Sequence, residues 1–77
     1  MPSLPEILGT NVRAARAEHG WTQEALADRT DLSTVQILRI ERGRREIKLG
    51  TLIRLIDGLE IAPDRLLAGL YRHRGEH

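Results

Sequence analysis

The sequence predicts an all-α domain built from five short helices. Apolar residues recur at three- and four-residue intervals along the chain, and no alternating β-branched run is long enough for a strand. Ser, Thr and Pro stand where helices should start, and Gly stands where several should stop. The 77 residues make room for one domain, 1–77. So short a chain buries only about 60% of its unfolded surface, so each large apolar residue counts.

Ser3-Leu4-Pro5-Glu6 has capping-box spacing and opens the first helix, with Leu8, Val12 and Ala15 on its inner face. His19-Gly20 ends it, with glycine suited to the left-handed turn and His19 a favourable partner for the negative helix end. Thr22 caps a second helix that runs to about Thr30 and is too short to persist alone. After a break of about three residues, Ser33-Thr34-Val35-Gln36 forms a second capping box, and the third helix runs from there to Arg42-Gly43 with Ile37 and Ile40 inward. A basic loop, Arg44 to Lys48, leads to a fourth helix with Leu49 near its start and Leu52, Leu55, Ile56 and Leu59 on one stripe. Pro63 sits at a first helical position, and the fifth helix is predicted from Asp64 to about Arg72, with Leu66, Leu67 and Leu70 apolar. Residues 72–77 read as a frayed polar tail.

Composition narrows the function. There are no cysteines, so neither a disulfide framework nor a thiolate metal site is available. Hydrophobic residues make up 40% and charged residues 30%, too apolar for a disordered chain. The apolar runs are too short for a membrane span, and the N-terminus lacks the features of a secretory signal, so a soluble, cytoplasmic protein is expected. The net charge is only +1. Its distribution is uneven: residues 39–48 carry Arg39, Arg42, Arg44, Arg45 and Lys48 against Glu41 and Glu46, while residues 1–38 are slightly acidic and 49–77 balance.

The second helix, the tight turn and the third helix have helix-turn-helix spacing. Within them stand Thr22-Gln23, Leu26-Ala27, Leu32-Ser33 and Ile37-x-x-Ile40-Glu41-x-Gly43. This pattern resembles the Cro and phage-repressor family of small bacterial transcriptional regulators, over roughly residues 8–68. The resemblance implies a five-helix lambda-repressor-like DNA-binding domain whose third helix enters the major groove. It implies that Gln23 touches a phosphate and that Arg16 pairs with Glu41.

The outward positions of the third helix are Thr34, Val35, Leu38 and Arg39. Val35 and Leu38 could meet a thymine methyl or pack against the second helix or a neighbouring chain; Arg39 could read guanine or grip a phosphate. Arg42, Arg44, Arg45 and Lys48 read as phosphate contacts, or as a solvated basic loop. Gln36 could reach DNA or fold back onto Ser33, and Ser33 itself could cap or meet a phosphate.

The chain departs from the family pattern at several places. Asp31 replaces the usual turn glycine, Glu46-Ile47-Lys48 replaces a common Asn-Pro-Ser, and Ala62 replaces a serine cap. Trp21 takes a place commonly given to Leu or Met and reads as an anchor packing the first helix on the second.

Other chemistry has little to stand on. His73 and His77 are four apart but lack a convincing third ligand, and the seven glycines sit apart, read as helix ends and turns rather than a phosphate loop. No catalytic set, metal or cofactor is expected, and no small-molecule effector is evident. The expected partners are double-stranded DNA, on a palindromic operator, and a second copy of the chain, with Leu66, Leu67, Leu70 and Tyr71 as the main interface and Ile53 and Ile56 adding apolar surface. No effector-binding domain is expected after the fifth helix. Controller proteins of restriction-modification systems are similar in size and often carry an apolar residue at the position of Ile47. An antitoxin-like protein-interaction module is the alternative from another class.

Overall fold

The first three helices start where their side-chain caps stand. The structure is a computed structural model and describes residues 2–70. Helix α1 spans Leu4–His19. Ser3 Oγ accepts from the Glu6 N–H at 3.3 Å, and Glu6 Oε1 accepts from the Ser3 N–H at 2.9 Å. The Ser3 backbone N–H, and then its hydroxyl, hold the Glu6 carboxyl below its ordinary pKa. That contribution is present above the unfolded value and is lost as the pH falls through the folded one. Helix α2 spans Gln23–Thr30, with the Ala25 N–H donating to Thr22 Oγ1 at 3.0 Å. Helix α3 spans Thr34–Arg42, and its Ser33–Gln36 box is complete. Helix α4 spans Leu49–Leu59 behind an uncapped Lys48, and α5 spans Pro63–Leu66 behind an uncapped Ala62.

The fifth helix is shorter than the sequence predicts. Asn11 Nδ2 on α1 donates to the Leu66 carbonyl at 2.7 Å and to the Ala68 carbonyl at 2.8 Å. In a continuing helix the Leu66 carbonyl would take the Leu70 N–H; that N–H bonds Leu67 instead, at 3.1 Å. Gly69 then turns the chain at φ 89°. The expected end at Arg72, the polar tail, and His73 and His77 lie outside the described residues.

Helix α1 packs mainly on α3 and also on α5, while α2 lies against α3 and α4. Leu26, Ile37, Leu55, Leu59, Leu66 and Val12 are fully buried between them, joined by Leu8, Ala15, Ala27 and Ile40. Leu66 thus belongs to the monomer core and not to a dimer surface. None of the described helices is long and apolar enough to cross a membrane.

Trp21 is half-buried at the edge of this core. The His19 ring stacks on it at 3.9 Å, and the Arg29 guanidinium lies 3.9 Å from its ring centroid. His19 does more than face its own helix end: its Nε2–H donates to the Leu59 carbonyl, the last of α4, at 2.7 Å.

Three glycines lie within helices: Gly9 in the middle of α1, and Gly50 and Gly58 in the first and last turns of α4. A Cβ at Gly9 would lie 2.5 Å from the Ile40 carbonyl oxygen and 2.9 Å from that of Glu41. Only glycine lets the middle of α1 meet the last turn of α3 backbone to backbone. Gly58 similarly admits Thr30 Cγ2, which a Cβ would approach to 2.6 Å. Gly50, by contrast, faces open space.

These two environments predict opposite outcomes for one kind of substitution. Gly9→Ala should destabilise by about 1–3 kcal/mol, because the obstacle is rigid backbone. Gly50→Ala should be neutral or stabilise by about 0.4–1 kcal/mol, by restricting the unfolded chain. Urea denaturation midpoints compare the two directly.

Candidate nucleic-acid interface

Helix α3 is held by one face and free along the other. Ile37 and Ile40 are buried, which leaves Thr34, Val35 and Arg39 exposed and Leu38 half-buried. Val35 keeps 54% of its surface in water. Ser33 and Gln36 are also exposed, and the second of the two roles open to Gln36 is formed: its Oε1 accepts from the Ser33 N–H at 2.9 Å while its own N–H donates to Ser33 Oγ at 3.1 Å.

The turn before α3 rests on Asp31, which adopts φ 59° where glycine is usual. Arg54 of α4 supports it by donating to the Asp31 carbonyl at 3.1 Å and to its carboxylate at 3.3 Å. Arg54 also offsets the negative charge that Asp31 adds beside α3. Its sequence position, 23 residues away, gave no sign of this contact.

The last turn of α3 is clamped through Glu41, only 6% exposed. Arg16 Nε donates to Glu41 Oε2 at 2.6 Å and Nη2 to Oε1 at 2.9 Å, a two-pronged contact. The hydrogen bond to Glu41 raises the Arg16 pKa further above its ordinary value. Arg16 Nη1 also donates to the Trp21 carbonyl at 2.9 Å. Gln23, expected at a phosphate, turns its Nε2 to Glu41 Oε1 at 3.2 Å. That bond uses one of its two amide protons. Arg13, which no motif in the sequence singles out, joins the clamp; its Nη2 donates to the Glu41 carbonyl at 3.3 Å, one turn before Arg16 on α1.

Beyond Gly43 the basic loop folds back beside α3. Together they border an open groove of about 530 Å³, to which α3 contributes Gln36, Arg39 and Ile40 and the loop contributes Arg44, Arg45, Glu46, Ile47 and Lys48. Arg42 lines the same groove and, like these cations, is exposed. Arg39, Arg42, Arg44, Arg45 and Lys48 have no ion-pair or hydrogen-bond partner among the described residues. Every other described arginine is engaged: Arg13 and Arg16 with Glu41, Arg29 with Glu60, Arg54 with Asp31, and Arg65 with Glu18. The fold therefore concentrates its unpaired positive charge along α3 and the loop after it.

Residues 12–66 match the profile of the helix-turn-helix family. The chain belongs to that family. It is 36% identical over 74 residues to the control protein C.SmaI of Serratia marcescens, covering 94% of this chain and 88% of that protein. The clp gene regulator ClgR of C. glutamicum superposes with a TM-score of 0.84 at 27% identity, over 100% of both chains. The wild-type restriction-modification controller protein C.Esp1396I superposes with a TM-score of 0.81 at 27% identity, also over 100% of both. Fold, family and relatives agree: this is a small DNA-binding regulator of transcription of the Cro and phage-repressor type.

The expected dimer surface is less accessible than the sequence implies. Leu66 is fully buried, Leu67 and Leu70 are half-buried, and Tyr71 lies outside the described residues. Ile53, which the sequence adds to that surface, is exposed at 56%, and Leu49, four residues before it on α4, is exposed at 73%. Ile56 is half-buried.

The Glu41 clamp makes a specific stability prediction. Arg16→Met leaves a buried carboxylate short of its main partner and should cost about 3–5 kcal/mol. Adding Glu41→Leu should restore most of that loss, because an apolar pair of similar volume replaces the charges. Urea titration of both variants checks this; a single variant as stable as the parent would mean that Arg13 and Gln23 alone satisfy the carboxylate.

Proposed function

We propose that the chain binds a two-fold symmetric duplex operator as a homodimer and so controls transcription initiation nearby. The segregation of unpaired cations supports this reading most directly. A groove-inserted α3 would bring Arg42, Arg44, Arg45 and Lys48 against the flanking backbone, where they position the protein by displacing counterions. Thr34, Val35 and Arg39 would then face base edges, with Leu38 at the margin; methyl groups suit thymine and the guanidinium suits guanine. Ser33 and the remaining Gln23 amide proton stand beside helix starts, where backbone N–H groups favour phosphate. The whole of 1–77 serves as one binding domain. The reading requires no catalysis, no cofactor and no small-molecule effector. Its place of action is the cytoplasm, where a bacterial chromosome is.

Leu49 and Ile53 on α4 support dimerisation through that helix, with Leu67 and Leu70 at its margin rather than at its centre. Similarity to two controller proteins favours a restriction-modification operon as the regulated locus. An interaction-only module of the antitoxin kind leaves the sorted cations without a use.

Two measurements test this function. Replacing Arg44 and Arg45 by Ala should weaken binding to operator and random duplex alike, and lower the slope of log affinity against log salt by about 0.9 for each phosphate that is no longer neutralised. Unchanged affinity for random duplex would remove the loop from the interface. Ile53→Glu should convert the dimer to a monomer in sedimentation equilibrium, while thermal unfolding stays within about 0.5 kcal/mol, as for other exposed positions; a dimer that survives would place the two-fold contact elsewhere.

A further inference from the structure

Capping and base reading compete for Gln36 at first sight, yet the geometry makes one the condition of the other. The Ser33 backbone N–H is a donor, and at 2.9 Å it can be met only by the amide oxygen of Gln36. Chemistry therefore fixes which end of the amide is which: Oε1 is held at the start of α3, and Nε2 is the free end. Nε2 has no partner among the described residues, and the residue is exposed and lines the groove together with Arg39.

An untethered glutamine offers one donor and one acceptor side by side, which matches the N6 and N7 edge of adenine. Turning Oε1 toward an adenine amino group would break the capping box and return an orphan N–H to the helix start. We propose that the tethered Gln36 reads DNA as a donor, selecting a base that presents acceptors, with guanine the best match and cytosine the worst. Guanine sets O6 and N7 side by side in the major groove, which suits the two amide protons of Nε2. Cytosine presents an amino donor there, and two donors repel. The tether also removes rotamer freedom before binding, so less is lost on contact. The inference rests on the proposed insertion of α3 into the groove and adds the base chemistry of one position.

The test uses the whole chain and a random duplex library. The parent, Gln36→Glu and Gln36→Ala are each used to select bound sequences. Glutamate at the third helical position preserves the capping box while its outer atom becomes an acceptor. The parent should enrich guanine at one position in each half-site. Gln36→Glu should move that position toward cytosine, whose amino group a carboxylate accepts, with guanine enrichment falling about tenfold or more and other positions unaltered. Gln36→Ala should flatten the same position. If Gln36→Glu instead weakens all sequences alike and leaves every position unchanged, Gln36 is a cap and nothing more. Parent enrichment of adenine at the position altered by these variants would also overturn the donor-only reading. Absence of any enriched sequence with the parent overturns the groove insertion itself, and is distinct from either result.

Discussion

The orientation of α3 depends on a single buried carboxylate. Glu41 gathers Arg16 from α1, Gln23 from the start of α2 and, through its carbonyl, Arg13. These contacts fix the last turn of α3, while the Ser33–Gln36 box fixes the first. The nonpolar core between them is small, and nonpolar contact is not directional. A helix held only by Ile37 and Ile40 could roll or slide by a fraction of an ångström at little cost. The two-pronged Arg16 contact removes that freedom, because a planar guanidinium and a planar carboxylate match in few arrangements. A buried ion pair adds little net stability against an apolar replacement. In this fold its stronger contribution is geometric: it places a rigid element where a reading surface must not drift.

The same seam explains Gly9 and Gly43. A Cβ at Gly9 would reach the Ile40 carbonyl, and one at Gly43 would come within 2.6 Å of Glu6 Cα, at a position whose φ is also 65°. Both residues let α1 lie directly against the end of α3, and that approach brings Arg13 and Arg16 within reach of Glu41. The clamp and the glycines are therefore one device. Backbone proximity shortens the gap, and the arginines close it.

Much of this was legible in the residue string, and the reason is locality. Ser3, Thr22, Ser33 and the left-handed Gly20 and Gly43 act within three or four residues of themselves, so the helix boundaries could be read directly. The inward and outward faces of α3 followed from its period. What escaped was set by distance along the chain. Nothing near Gly9 announces Ile40, and nothing near Arg54 announces Asp31. At the end of α5, Gly69 marks the turn locally, but Asn11 meets the Leu66 carbonyl from across the fold, a contact 55 residues apart that no helix-ending signal encodes. Leu66 itself is a core residue. The stripe on α4 left Ile53 off the inward face, and the structure exposes it; Leu49, next to the start of that stripe, is exposed beside it. Gln36 was readable as a cap or as a DNA contact, and the formed box, with Oε1 on the Ser33 N–H, is what leaves Nε2 as the free end.

The charge pattern shows why whole-chain totals mislead for a protein of this size. A net charge of +1 suggests no preference for a polyanion. Yet charge acts over roughly a Debye length, about 8–10 Å at moderate salt, so a partner senses local excess and not the sum. Pairing decides that excess. Arg29, Arg54 and Arg65 direct much of their field at Glu60, Asp31 and Glu18, and these pairs also tie together the ends of α2, α4, α5 and α1. Exposed pairs of this kind contribute little stability each. Their larger consequence is subtractive: they remove competing positive charge from the rest of the surface. Glu41 is withdrawn inward in the same way, so of the two acids within the basic segment only Glu46 remains exposed. The local field over α3 and its following loop is then set by five cations and one anion. A near-neutral chain can thus present a strongly directional face to a duplex, without the self-repulsion that a uniformly basic surface would impose on so small a core.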